Sequence, residues 1–261
     1  MDFWNAGRII ELFAECGRQA LEIKKHPNAA LKYDRTLVTD ADRTIERILA
    51  AELGDETNGV YILGEETHRQ KSSDYLARAL TGKTWIIDPV DGTTNFAHGL
   101  PLTVTSVAYR LNGEIVLGIV NAPLLRECFI AEKGKGAWRN GERISVSSVA
   151  DCENALVSTG FPYEIARRVD EILERMRPVL SSCQGVRRCG AAALDLAWTA
   201  CGRFDAFYED ELKPWDMAAG ALLVTEAGGS ISNLDGSPFD LRWSILAGNK
   251  AMHELIGKMI R

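Results

Sequence analysis

A chain of 261 residues, a quarter of them charged and nearly half hydrophobic, has the composition of a folded globular protein with a substantial core, arranged as one large domain or two small ones. Its formal net charge of −6 argues against a general nucleic-acid binder, whose affinity would rest on Lys and Arg neutralising phosphates, and admits a small anionic substrate only where bound cations invert the local field. The six cysteines form no Cys-x-x-Cys pair and read as reduced thiols of a cytoplasmic protein, and no apolar run approaches the length of a membrane span.

The opening stretch MDFWNAGRIIELFAECGRQALEIKK is interrupted by charges, unlike a signal peptide. Ile9, Ile10, Phe13, Ala14, Ala20 and Leu21 recur at helical spacing and predict an amphipathic helix over residues 3–25. TLVTDADRTIERILAAEL predicts a second helix over 36–53, capped by Thr39 or Asp40, with Ile45, Ile48 and Leu49 on one face. GVYILGEE reads as a short strand that stops at Gly64 before two carboxylates, and KTWIIDPVDG as a buried strand that also ends in carboxylates. From about residue 103 to 146 the segments TVTSVAYRL, EIVLGIVNAP and ECFIAEK, with the turn pairs Asn112-Gly113 and Asn140-Gly141, predict an antiparallel meander. These elements make up an N-terminal α+β domain, residues 1–147.

Residues 148–261 change character. ALVSTGF is a strand, YEIARRVDEILERMRPVL a helix ending near Pro178, GAAALDLAWTACG a helix ending at Gly202, and FDAFYE a strand. DMAAGALLVTEAGG is a helix with a glycine stop, followed by the strand SILAGN and the helix KAMHELIGKMI. The alternation implies a layered α/β domain. With no internal repeat, low-complexity tract or long linker, the two halves should pack closely.

Four acidic positions sit where a regular element begins or ends: Glu65 after VYIL, Asp88 and Asp91 after TWII, and Asp216 at the head of a helix. Rigid elements fix the direction of the side chains at their ends, which is where α/β proteins build sites. Carboxylates gathered without a cation repel one another, so a shared pocket implies bound metal or raised pKa values. An all-oxygen set selects Mg2+, Mn2+ or Ca2+ over zinc. Singly, each position has a plainer reading. Asp88 and Asp91 fit a turn, Glu65-Glu66 a solvated loop, and Asp216 an N-cap beside a core tryptophan.

Taken together and in order, WIIDPVDGTTNFAHGLP at 85–101, WDMAAGALLVTEAGG at 215–229, GEE at 64–66 and LVTDADRTIE at 37–46 resemble the inositol monophosphatase family of metal-dependent, lithium-sensitive phosphatases. The resemblance covers essentially the whole chain. It implies an α+β or α/β layered αβαβα sandwich like that of fructose-1,6-bisphosphatase. It also implies about two or three Mg2+ ions per active site, held by Glu65, Asp88, the main-chain carbonyl of Val90, Asp91 and Asp216. Pro89 would stiffen the turn that presents that carbonyl. Gly92 and Thr93 would offer backbone N–H groups to phosphate, with Thr94 and Asn95 supporting the loop. Thr93 with Asp42 is the pair that would take a proton from the attacking water.

The same resemblance gives Glu209 a substrate hydroxyl to bind and makes Gly190, Ala191 and Ala192 the lining of a polyol pocket. Ala191 stands where bacterial relatives usually carry serine or threonine, so one hydroxyl contact is missing. Lys32 lies one residue out of register with a family lysine and is left out of the catalytic set. His98 is expected to help hold the loop, and His26, His68 and His253 to be exposed.

The implied reaction is Mg2+-dependent hydrolysis of a small sugar or polyol phosphomonoester, with myo-inositol 1-phosphate foremost. Thr94-Asn95 after Asp-Gly-Thr follows the inositol and fructose-bisphosphate branch. Nucleotide-directed members tend to carry Lys and Glu there, and histidinol-phosphate members Arg. Fructose-1,6-bisphosphatase or dual activity therefore stays open, with histidinol phosphate and 3′-phosphoadenosine 5′-phosphate further off. Lys213 is either placed to meet a second phosphate or simply exposed. The alternative from another class is a non-catalytic regulatory partner of the same fold, against which stands the intact set of Asp42, Glu65, Asp88, Asp91, Thr93 and Asp216. The remaining implied partner is a second copy in a homodimer; neither nucleic acid nor membrane is expected.

Overall fold

A computed structural model describes residues 6–24, 29–31, 37–162 and 165–261; Lys32, His26 and the outer ends of the first predicted helix lie outside the described residues. Helix α1 (Ala6–Lys24) is followed by a hairpin of β1 (Ala29–Leu31) and β2 (Leu37–Thr39), then by α2 (Asp40–Leu53). The helix expected over 36–53 is thus shorter than read, Leu37–Thr39 being strand. Thr39 makes the change of direction. Its hydroxyl accepts the Ala41 N–H at 3.2 Å, while the Asp42 carboxylate reaches back to the Thr39 N–H at 2.7 Å. This reciprocal cap fixes where the helix starts.

β3 (Val60–Gly64), β4 (Lys83–Asp91), β5 (Val104–Leu111), β6 (Glu114–Ala122), β7 (Glu127–Glu132), β8 (Gly136–Arg139) and β9 (Glu142–Arg143) form a seven-stranded sheet in that order. β3 runs parallel to β4, and the rest is the expected antiparallel meander. Both Asn-Gly pairs are left-handed two-residue turns, with φ of 52° and 85° at Asn112 and Gly113 and of 50° and 85° at Asn140 and Gly141. Helix α3 (Ser73–Thr81), capped by Ser72, was not anticipated from sequence and connects β3 to β4. Helix α4 (Thr93–Ala97) is a short turn after β4.

The second sheet has the order β11-β10-β12-β14-β13, built from β10 (Leu156–Thr159), β11 (Gly185–Arg187), β12 (Ala206–Asp210), β13 (Ser230–Ser232) and β14 (Ser244–Gly248). Its helices are α5 (Ile165–Ser182), α6 (Ala192–Ala200), α7 (Pro214–Glu226) and α8 (Lys250–Ile260). α5 continues past Pro178, where an end was expected. Val179, just beyond, is fully buried against the second sheet, and that packing keeps the last turn helical although the proline removes one backbone bond.

Alternation along the strands sends side chains to opposite faces, and three apolar layers result. Trp85, Ile87, Tyr109 and Ile119 meet Phe13, Ile45 and Leu49 of α1 and α2. Ile86, Ala108, Val120 and Phe129 face α6 and α7, whose other side meets Phe207, Ile245 and Ala247 of the second sheet. Tyr208 and Leu246 face outward to Val179, Met252 and Ile256 of α5 and α8. The architecture is the expected αβαβα sandwich, with α6 and α7 shared between the sheets. None of the described helices is long and apolar enough to cross a membrane.

Candidate active site

Asp88 and Asp91 lie three residues apart on β4, and a regular strand would send them to opposite faces. The register with β5 shifts between them: Asp88 is opposite Ser106 and Asp91 opposite Val104, so three steps on β4 match two on β5. The extra residue makes a β-bulge at Pro89-Val90, which turns both carboxylates toward the middle helical layer while Val90 packs with the α1–α2 core. Thr105 Oγ1 donates to the Pro89 carbonyl at 2.9 Å, and Asp88 Oδ1 accepts the Val90 N–H at 3.0 Å. These two bonds pin the bulge from both sides.

Two helix starts meet it. Asp91 Oδ2 accepts the Ala193 N–H of α6 at 2.7 Å. Asp216, in the first turn of α7, accepts the Lys213 N–H at 2.7 Å, and Ser106 Oγ ties that turn to β5 through the Trp215 carbonyl at 3.1 Å. The positive ends of the helices offset part of the charge. Burial nonetheless pushes the Asp91 carboxyl up to about 7, with Glu65 adding to the effect. It pushes Asp216 up to about 7 as well, with Asp91 adding. Asp88 is raised well above the usual carboxylate range by burial and then by Glu65, Asp91, Asp216 and Asp42. Desolvated, mutually repelling carboxylates of this kind fit a hard divalent cation, whose charge would relieve both penalties. The donors available are all oxygen: Glu65, Asp88, Asp91, Asp216 and the Val90 carbonyl.

Past the bulge the chain turns through Gly92 at φ 87°, where a Cβ would stand 2.7 Å from the Leu102 carbonyl oxygen; only glycine passes there. Thr93 follows, its Oγ1 3.1 Å from Asp42 Oδ1 and 3.0 Å from the Val90 carbonyl. Asp42 is fully buried, and its second oxygen takes the Thr39 N–H and hydroxyl at 2.7 and 2.5 Å. Asn95 Nδ2 donates to the carbonyls of Leu102 and Cys189, each at 2.8 Å, and so supports the loop. Thr94 is exposed. His98 joins the loop through its backbone N–H, which reaches the Thr94 carbonyl at 3.1 Å, and its side chain is exposed.

Sequence reasoning missed several groups. Oxygens of Asp42, Glu65 and Glu66 lie within 4.8 Å of one another, a grouping able to hold a metal ion, so Glu66 joins two residues already singled out. The Glu66 N–H donates to Glu46 of α2 at 2.7 Å. His68 is not exposed as expected but half-buried. Its Nδ1 is 2.8 Å from the Glu65 carbonyl, and its ring lies 4.6 Å from that of Trp215, wedged between the exit of β3 and the start of α7. His253 is likewise half-buried, with Nε2 3.0 Å from Ser232 Oγ, because α8 packs it against β13.

The acidic group opens into a cleft of about 390 Å³ that Gly190, Ala191, Ala192 and Glu209 also line. Arg188, overlooked in the sequence although RRCG leads into Gly190, is the one cation among the described residues lining it. Its guanidinium lies 5.8 Å from the Phe161 ring. Ala191 caps α6 without a side-chain bond, consistent with the missing hydroxyl. The Glu209 carboxyl rests where a Cβ on Gly160 would come within 2.0 Å of it. Burial, then Asp195 and Asp216, raise Glu209 well above its ordinary range, and Arg188 opposes them. Lys213 does not line the cleft; its Nζ sits 4.9 Å over the Trp243 ring.

The chain matches the family model of the inositol monophosphatase family over residues 4–261. An inositol-1-monophosphatase of Mesorhizobium japonicum is 38% identical over 233 residues, 89% of this chain and 85% of that protein. The Nus factor SuhB of Pseudomonas aeruginosa is 42% identical over 219 residues, 81% of this chain and 78% of that protein. The crystal structure of the extragenic suppressor protein suhB from Bartonella henselae superposes with a TM-score of 0.88 at 34% identity, covering 97% of this chain and 96% of that one.

Proposed function

Because the chain belongs to the inositol monophosphatase family, we propose that it hydrolyses a small polyol or sugar phosphomonoester with Mg2+, myo-inositol 1-phosphate foremost. One observation carries this reading: the Thr93 hydroxyl is held between Asp42 and the Val90 carbonyl at the edge of a buried, all-oxygen acidic group. Glu65, Asp88, Asp91, Asp216 and the Val90 carbonyl would hold the cations. When bound, divalent cations neutralise phosphate charge and make a nearby water more acidic.

The chain's own atoms do the rest. Asp42, fixed by its two bonds from Thr39, orients Thr93 Oγ1 and takes the hydroxyl proton as Thr93 accepts one from water. The N–H groups of Gly92 and Thr93 receive phosphate oxygens. Glu209 accepts a substrate hydroxyl, and Gly190, Ala191 and Ala192 shape the wall beside it. Arg188 favours a substrate with a second anionic group, which keeps fructose 1,6-bisphosphate in view.

A phosphate-release panel of inositol 1-phosphate, fructose 1,6-bisphosphate, histidinol phosphate and 3′-phosphoadenosine 5′-phosphate at fixed Mg2+ tests the reading. Inositol 1-phosphate should show the highest kcat/KM, and EDTA should abolish release. The Pseudomonas relative named as a Nus factor is the observation behind a second reading, a non-catalytic partner protein. Absence of release from all four compounds would favour it and overturn the first.

A further inference from the structure

The substrate side of the cleft is braced from outside. Asp210 ends β12 directly after Glu209, Glu211 follows, and all three line the cleft. Two arginines of α5 grip this segment. Asp210 Oδ2 accepts Arg168 Nη2 at 2.7 Å and Arg175 Nη1 at 2.9 Å, and Glu211 Oε1 accepts Arg168 Nη1 at 2.8 Å. Glu171 in turn accepts Arg168 Nε at 2.8 Å and Arg175 Nη2 at 3.1 Å, so each guanidinium is fixed on more than one edge. Charge-assisted bonds in this forked geometry are directional as well as strong. The side chains of Arg168, Arg175 and Asp210 are 23%, 21% and 16% exposed, so salt screens them less than it screens pairs in open solvent.

The backbone departs from regular geometry at both ends of this cluster. Glu211 is left-handed at φ 58°, uncommon for a residue with a side chain. Arg168 leaves helical geometry inside α5, at φ −126° and ψ 15°. One guanidinium joins the left-handed Glu211 to the kink in α5, and a left-handed position persists where its surroundings over-determine it. On the inner side, Thr159 Oγ1 holds the Tyr208 carbonyl at 2.8 Å and Gly160 leaves space for the Glu209 carboxyl. Glu209 is therefore set between a floor in β10 and a brace on α5.

We propose that Arg168 and Arg175 are positioning residues for substrate selection, which fix Asp210 and Glu211 and thereby aim Glu209 at a substrate hydroxyl. This rests on the polyol-phosphatase reading above. Neither arginine bonds to the Asp88–Asp91 bulge or to Thr93, so the hydrolytic step itself is spared. The test compares inositol 1-phosphate with p-nitrophenyl phosphate, which offers a phosphate but no hydroxyl for Glu209, at saturating Mg2+. In Arg168→Ala and Arg175→Ala the KM for inositol 1-phosphate should rise about tenfold, the equivalent of one lost bond to a charged group. Its kcat and both constants for p-nitrophenyl phosphate should hold. Arg168→Lys keeps the charge without the fork and should recover part of the loss. Glu171→Ala loosens both arginines from a position outside the cleft and carries the test should an Arg→Ala variant fail to fold. An unchanged KM for inositol 1-phosphate, or equal losses on both substrates, would overturn the proposal. A wild-type protein that cleaves p-nitrophenyl phosphate but no polyol phosphate would remove the polyol reading and this proposal with it.

Discussion

Thr93 has one hydroxyl proton and two acceptors within reach, Asp42 Oδ1 and the Val90 carbonyl. The proton relay proposed above uses the first of them: donating to Asp42 leaves the oxygen lone pairs free to accept from an attacking water. Asp42 cannot swing away, because its other oxygen is held twice by Thr39. If the two act as one unit, Thr93→Ala should lower kcat by roughly 10²–10⁴-fold with much less change in KM, since the backbone N–H proposed to meet phosphate is kept. Asp42→Asn should resemble it, and the double variant should be little worse than either single one, because residues acting together are non-additive. Steady-state kinetics on the three variants decides the matter. Fully multiplicative losses, or only a few-fold loss in Thr93→Ala, would reduce Thr93 to a loop hydroxyl.

At the scale of elements, the site depends on two irregularities at the end of β4, the bulge at Pro89-Val90 and the left-handed turn at Gly92. Gly92 and Gly99 share a positive φ, 87° and 78°, but a Cβ at Gly99 would meet nothing within 4 Å whereas one at Gly92 would strike the Leu102 carbonyl. Alanine at either position carries the left-handed penalty of on the order of 1–3 kcal/mol. Gly92→Ala should lose about 1 kcal/mol or more beyond Gly99→Ala because of the added clash. Urea melts of the metal-free variants measure the difference; equal losses would mean that the Leu102 carbonyl yields and the turn is loose. The Asn-Gly hairpins and a cap at Thr39 or Asp40 could be read in the sequence because their chemistry is local, a left-handed pair and a side chain reaching three residues along. The common facing of Asp88 and Asp91 could not, since period-two alternation predicts the opposite and the bulge shows only in the pairing with β5. For the same reason His68 was expected to be exposed and Arg188 went unnoticed: what they touch, Trp215 and Phe161, lies far off in the chain. The family motifs supplied the gathering of acids that local patterning could not.

Across the whole molecule, the acids converge where the layers meet. Asp42 comes from the outer helical layer, Asp88 and Asp91 from the first sheet, Asp216 from the middle layer and Glu209 from the second sheet. Folding the metal-free chain therefore brings these carboxyls together and out of water in the same event. Burial, before any neighbouring charge, raises Asp91 and Asp216 to about 7 and Asp195 to about 8 from an ordinary 3.8. Between those limits the folded chain keeps protons that the unfolded chain has released. It then binds more protons than the unfolded chain, so stability falls as pH rises. The contribution is complete below the unfolded values and lost as pH passes through the folded ones. The thermal midpoint of EDTA-treated protein should accordingly drop from about pH 5 to about pH 8. Added Mg2+ should act in the opposite sense if, as proposed, it binds the deprotonated carboxylates, so its stabilising shift should be larger at the higher pH. Asp91→Asn should flatten the metal-free slope and shrink the Mg2+ shift together. Calorimetry at fixed ionic strength with and without Mg2+ reads all three. A metal-free midpoint that climbs over this range would contradict the dominance of burial at these acids, and a Mg2+ shift that is the same at both ends would contradict their proposed role in holding the cation.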